Sequence, residues 1–346
     1  MRRTVRYLTG LVAAMALISG LTPGVAAAAE PPAPSLKTIG PGAGLVFVNE
    51  YGRGRCTLGA AGIDAAGRKV GITAGHCRIE EKFDPQDTCK TIESDPVKEP
   101  WYQPKFWGPT EGVHVLTNDY PVWDWRDILD NTWDAAADNF GLLPGRMEAA
   151  PIGWIRWVNK GSNDCSLTTT TDYMVIEFAS HVQLTSRVTD KLGNGVRSTL
   201  DGRPFTINST HRDSEGRPAL PRPVLDYVET FGAMSDRKPG TLFPPEETFA
   251  RAPSYGMVTG VDGGLIRSYA GFRKGDSGGP VVIRGTGRWV GIITRTDLNN
   301  APFVITSAKN ILADLNSRNI TGSGFTPVDS EGTAPPETPA CSGSLC

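Results

Sequence analysis

Gly275-Asp276-Ser277-Gly278-Gly279-Pro280 runs straight into Val281-Val282-Ile283, so a glycine-rich turn hands the chain directly to an apolar, β-branched strand. A serine hydroxyl is a poor nucleophile until a base takes its proton, and the oxyanion that then develops needs donors already in place. Glycines on both sides of Ser277 let the backbone turn tightly, exposing the hydroxyl and aiming the amides of Gly275 and Ser277 at one point. An ordinary Gly-rich turn reads the same way in isolation, so the motif takes its meaning from the rest of the chain.

Outward from this turn, the body of the chain consists of short apolar runs punctuated by Gly, Pro, Asn and Asp. They are Leu45 to Val48, Val70 to Thr73, Met174 to Phe178, Pro280 to Ile283, Trp289 to Ile293 and Phe303 to Thr306. Runs of this length, rich in β-branched residues and bounded by turn formers, predict the strands of a sandwich or barrel. Ala308 to Ser317 carries Ile311, Leu312 and Leu315 at helical spacing and predicts a helix after the last strand. Two stretches fit no simple strand pattern. Residues Trp101 to Gly145 hold Trp101, Phe106, Trp107, Trp123, Trp125 and Trp133, and Arg212 to Arg251 is rich in Pro and charge. The aromatic stretch reads either as an inserted loop packed on the barrel or as a wall of a substrate cleft.

A base must come from His76, His114, His181 or His211. His76 ends an apolar run and precedes a cysteine, in Thr73-Ala74-Gly75-His76-Cys77; the other three have no such setting and read as surface or core residues.

These two motifs resemble the histidine and serine signatures of chymotrypsin-like serine proteases, and the Ala-Gly-His-Cys form is similar to bacterial members such as the streptogrisins. Trp289 to Thr294 resembles that family's substrate-binding strand, and Pro302 to Leu312 its last strand entering a terminal helix. The resemblance covers about residues 44–80, 165–180 and 258–315. It implies an all-β chain of two six-stranded antiparallel β-barrels of the chymotrypsin type, with a C-terminal helix and long inserted loops. It further implies a serine endopeptidase with Ser277 as nucleophile, His76 as base, an oxyanion hole of the Gly275 and Ser277 amides, and a disulfide between Cys56 and Cys77. The family order His, Asp, Ser puts the acid between His76 and Ser277. Asp172, leading into Tyr173-Met174-Val175-Ile176, fits that place, and Asp134 and Asp138 are its rivals. Substrate contacts are expected from Gly271, Thr294, Arg295 and Thr296. Gly271 stands six residues before the nucleophile, where an aspartate would select Lys or Arg, so apolar or small side chains are expected instead.

Length and composition bound the rest. The chain has 346 residues, 39% hydrophobic, with 40 Gly and 27 Pro, which suits a loop-rich globular protein. Arg2, Arg3 and Arg6, the apolar run Leu8 to Ile18 and the alanines ending at Ala29 read as a secretory signal. That run is shorter than the roughly 20 residues a membrane span needs. The expected organisation is a signal peptide at 1–29, a spacer at 30–40, a protease domain at 41–320 and a Pro/Gly/Ser-rich tail at 321–346. A net charge of −2 gives no reason to expect nucleic acid or an anionic membrane as partner. Six cysteines after the signal fit an oxidising compartment, and without a CxxC pair they read as disulfides rather than a zinc site. The four beyond Cys56 and Cys77 are paired in this reading as Cys89 with Cys165 and Cys341 with Cys346. The expectation is therefore a secreted, monomeric enzyme without metal or cofactor, acting on a protein or peptide. Two alternatives stay open: a catalytically silent trypsin-fold binding protein with its site covered by the insertion, and an esterase.

Overall fold

In the computed structural model, residues 34–49, 52–78, 82–83, 91–92, 108–129, 149–159, 171–233, 253–272, 275–296 and 303–330 are described. The expected signal at 1–29, Asp134, Asp138 and the four cysteines Cys89, Cys165, Cys341 and Cys346 lie outside them.

The first sheet contains β1 (Gly44–Asn49), β2 (Gly52–Thr57), β3 (Ala60–Ile63), β4 (Lys69–Thr73), β5 (Pro121–Asp124), β6 (Gly153–Asn159) and β7 (Tyr173–Phe178). Its strands lie in the order β3-β4-β7-β6-β5-β1-β2. β2 and β3, at opposite ends of that order, are consecutive in the chain and joined by Leu58-Gly59, so the sheet curls without closing. The second sheet contains β8 (Tyr227–Thr230), β9 (Ser254–Asp262), β10 (Leu265–Ser268), β11 (Pro280–Ile283), β12 (Arg288–Thr296) and β13 (Phe303–Ser307). Its order β12-β11-β8-β9-β10-β13 is completed by direct pairing of β13 with β12, which closes a six-stranded antiparallel barrel and leaves no free edge in the ring. All six apolar runs read from the sequence are strands, and the all-β, chymotrypsin-type architecture expected from the motifs holds, with one closed six-stranded barrel and, in place of the second, a curled open sheet.

Among the described residues two short α-helices flank the sheets. Trp125–Leu129 forms α1 directly after β5. The expected C-terminal helix is α2 (Ala308–Arg318), capped by the Ser307 hydroxyl accepting the Asn310 amide and ended by Asn319 in the left-handed conformation. Its Ile311, Leu312 and Leu315 are buried with Val175, Ile176 and Trp289 in one apolar cluster. A separate cluster of Val228, Val258, Ile266, Val281, Val290, Ile293 and Ile305 fills the closed barrel. Side chains of these types each contribute about 1.5–3 kcal/mol when fully buried, which is what holds strands of so few residues together.

The aromatic stretch is partly explained. Trp123 lies in β5, a strand of the first sheet, with its indole N–H donating to the Ala149 carbonyl at 3.2 Å, and Trp125 is buried under the Arg55 guanidinium. Trp101, Phe106, Trp107 and Trp133 lie outside the described residues.

Both expected boundaries of the folded domain move outward. Lys37–Ile39, placed in the spacer, pairs in parallel with Val182–Leu184. At the other end the fold continues past residue 321: Thr326–Pro327 forms β14 on the outer edge of β3. Phe325 is 4% exposed and meets Trp289 edge-on at 5.6 Å. Thr321 is buried as well, and the Gly322 and Gly324 amides donate to Asp64 and Asn316, so an aromatic contact and specific hydrogen bonds together fix this Gly- and Ser-rich segment.

Candidate active site

Strand register brings His76 to Asp172. β4 and β7 are antiparallel with Thr73 opposite Met174, so the residues that follow Thr73 run beside those that precede Met174. The chain leaves β4 through Ala74 into a single 3-10 turn, Gly75–Arg78, which carries His76. Gly75 is required there, because a Cβ would press on the carbonyls of Asn159 and Tyr173 at the ends of β6 and β7. The Asp172 carboxylate accepts the His76 backbone N–H on Oδ1 at 2.9 Å and lies 2.7 Å from Nδ1 through Oδ2. Asp172 is 6% exposed at the side chain and His76 31%, so the acid is enclosed while the imidazole reaches solvent.

The next residue after Asp172 is anchored from the far side. The buried Tyr173 hydroxyl donates to Asp314 of α2 at 2.7 Å, and the Asn159 amide and Arg318 guanidinium bind the same carboxylate. Burial first, then Asp314, raises the Tyr173 phenol far above its ordinary pKa, so it remains a donor. Cys77 forms its disulfide with Cys56, with Cα atoms 6.2 Å apart, and thereby ties the His76 turn to the end of β2.

Ser277 arrives from the other sheet. Gly275, at φ 91°, and Gly278, at φ 83°, bracket Asp276 and Ser277 in the turn that enters β11. Gly278 packs so closely on the first sheet that a Cβ would meet the Thr73 hydroxyl, the Thr57 carbonyl and the Ala74 amide, two residues from His76. The Gly278 N–H donates to Ile293 of β12 at 2.7 Å, and the Thr57 N–H donates to the Ser277 carbonyl at 2.9 Å. The turn is thus held between β12 and the end of β2. Asp276 is fully buried with its carboxyl against Gly232, where any side chain would collide. The five residues from Gly275 to Gly279 also satisfy Gly-x-Ser-x-Gly, but they lead into a strand rather than the helix that follows a nucleophile elbow, which speaks against an α/β-hydrolase arrangement.

The expected substrate residues fall on both sides of this turn. Gly271 is buried, and the next residue, Phe272, stacks at a tilt on Phe303 with centroids 4.7 Å apart. Thr294 is buried in β12 at a shift of register, its hydroxyl 2.6 Å from that of Thr306 and accepting the Thr306 N–H at 3.0 Å. Arg295 and Thr296 pair through their backbones with Val304 and Phe303. His181 and His211 belong to other neighbourhoods, and His114 Nε2 binds Thr321. Thr57 went unremarked in the sequence; a hydroxyl whose partners are all distant in the chain leaves no local pattern to find. Among the described residues no group of three or more His, Cys, Asp and Glu could hold a metal, and no helix is long and apolar enough to cross a membrane.

No family model matches the chain and no curated protein matches it. Among solved structures it is similar to Thermobifida fusca protease A, at 13% identity over 84% of this chain and 98% of that one with a TM-score of 0.41. It is likewise similar to Nocardiopsis protease, at 14% identity over 84% and 100% with a TM-score of 0.42. The chymotrypsin of Cellulomonas bogoriensis gives 13%, 85% and 100%, and a TM-score of 0.41. In fold the chain combines a closed antiparallel barrel with a curled sheet, the architecture expected from the His76 and Ser277 motifs.

Proposed function

We propose that the protein is a secreted serine endopeptidase that cleaves peptide bonds through an acyl-enzyme on Ser277. The observation that carries this reading is the pair of contacts from Asp172 to His76, made where the Ser277 turn docks on the first sheet. With Nδ1–H donated to Asp172, the lone pair of Nε2 is the one available to a substrate-side proton. His76 takes the Ser277 proton as Oγ attacks the peptide carbonyl, and the amides of Gly275 and Ser277 receive the oxyanion. His76 then protonates the leaving amine, and water, deprotonated by the same nitrogen, releases the acid. Asp172 stays ionised throughout and stabilises the imidazolium.

Gly271 offers no carboxylate to a basic side chain, and the apolar pair Phe272 and Phe303 stands beside it, so the substrates we infer carry small or apolar side chains at the cleaved bond. Export follows from the signal-like first 29 residues and agrees with a disulfide at Cys56 and Cys77. No cofactor or partner chain enters the chemistry, and the enzyme acts as a monomer.

Mass-spectrometric cleavage profiling on a peptide library, with Ser277→Ala as control, tests the reading. Cuts after small or apolar residues that vanish in Ser277→Ala support it. Cuts that persist in that variant, or none in either protein, overturn it, and a preference for Lys or Arg overturns the specificity.

A further inference from the structure

Thr57, the last residue of β2, is fully buried, and each of its polar atoms is engaged. Its N–H donates to the Ser277 carbonyl at 2.9 Å, and its hydroxyl donates to the Gly275 carbonyl at 3.1 Å while accepting the Ala233 N–H at 3.0 Å. Its own carbonyl accepts the Thr73 hydroxyl at 2.7 Å. One neighbour in sequence, Cys56, is bonded to the cysteine beside His76. A single residue therefore touches both halves of the candidate site.

We infer that Thr57 is a positioning residue for the oxyanion donors, an inference that rests on the acyl-transfer reading. Gly275 lies at φ 91° and has no Cβ, so sterics leave the peptide plane after it free to rotate. The two carbonyls held by Thr57 belong to Gly275 and Ser277, the residues whose N–H groups are assigned to the oxyanion. The Gly275 carbonyl belongs to the peptide unit that separates the two donor amides and the Ser277 carbonyl to the unit after the second, so holding both steadies the backbone frame from which the two N–H groups project, and preorganisation is what makes such donors effective. The hydroxyl bond to Gly275 is the part a side chain can lose. Val replaces Thr with nearly the same shape, keeps the backbone bond to Ser277 and removes that hydroxyl, leaving the Gly275 carbonyl and the Ala233 N–H without this partner.

A small alkyl fluorophosphonate reports on the donors without knowledge of the peptide substrate. Ser277 Oγ attacks phosphorus, fluoride leaves, His76 takes the proton, and the phosphoryl oxygen occupies the oxyanion position. For Thr57→Val we expect the plateau rate of phosphonylation to fall about ten-fold, with the midpoint of its pH dependence unmoved because the His76–Asp172 pair is untouched. Thr57→Ser keeps the hydroxyl and should react within about two-fold of wild type. Should Thr57→Val fail to match wild type in thermal unfolding, Thr57→Ala against Thr57→Ser makes the same comparison. Wild-type rates in the hydroxyl-free variant, or equal losses in the Ser and Val variants, would overturn the inference. A shifted pH midpoint would also do so, since it would mark general loosening of the base. Absence of labelling at Ser277 in the wild type is a different result, which removes the acyl-transfer reading and this inference with it.

Discussion

Asp172 grips His76 at two atoms: one carboxylate oxygen accepts the backbone N–H at 2.9 Å and the other lies 2.7 Å from Nδ1. The first contact sets where the turn sits and the second sets which ring nitrogen carries the proton. Asp172→Asn can keep the first through its amide oxygen, but its NH2 then faces Nδ1 and favours the wrong tautomer. Peptide hydrolysis should fall roughly 10⁴-fold in kcat with little change in thermal stability, as stopped or continuous peptide assays beside a melting curve would measure. A loss below ten-fold would remove Asp172 from the triad.

The Cys56–Cys77 bond closes a loop over 21 positions, and its two cysteines adjoin Thr57 and His76. Replacing both cysteines by Ser should lower the unfolding free energy by about 3 kcal/mol, read from urea titrations, because the unfolded chain regains the freedom the loop denied it. Phosphonylation of the surviving folded protein should slow as well, since both flanking residues lose their anchor.

His114 predicts a pH dependence. Its Nε2 accepts the Thr321 N–H at 3.2 Å and meets the Thr321 hydroxyl at 2.9 Å, which an imidazolium nitrogen could not accept. Burial first, then Arg68 and Arg156, hold its pKa below the ordinary 6.5, against an opposing pull from Glu177. Between the folded and unfolded pKa values the unfolded chain binds more protons, so stability rises with pH across that window. The contribution is complete above about pH 7 and is lost as the pH falls through the folded value. Unfolding free energies of wild type and His114→Gln should differ by a constant above about pH 7, with wild type losing ground below about 6.5. A gap that does not change with pH would show that His114 does not titrate as described.

Phe325→Ala should cost about 3–5 kcal/mol, the price of emptying a buried aromatic site, measured by denaturant titration. A true tail would register nothing.

That contrast marks where the sequence could be read and where it could not. Val70 to Thr73 and Met174 to Phe178 announce themselves as strands because both are buried and β-branched, and their antiparallel register then places His76 beside Asp172 with no further instruction. The turn around Ser277 takes its meaning only from the company of His76 and Cys77. β2, by contrast, reads Gly-Arg-Gly-Arg-Cys-Thr, whose glycines and arginines give no apolar period; it is a strand because β1 pairs along its whole length. Thr57 and Phe325 owe their roles to partners that lie far away in the chain. Gly and Ser around Phe325 suggested a segment too polar to bury a core, whereas Trp289 supplies the surface on which it docks.

β14 carries one more implication. Asp64 of the turn after β3 accepts the Gly322 N–H across 258 positions, and Thr326 and Pro327 complete the ladder on β3 beside it. A chain made from its N-terminus cannot finish the edge of its first sheet until residue 327 has emerged. Until then β3 offers unpaired backbone to any passing strand. Contacts this distant slow folding through the cost of closing large loops, so refolding from denaturant should be slow, and nascent chains stopped before β14 should aggregate or be degraded.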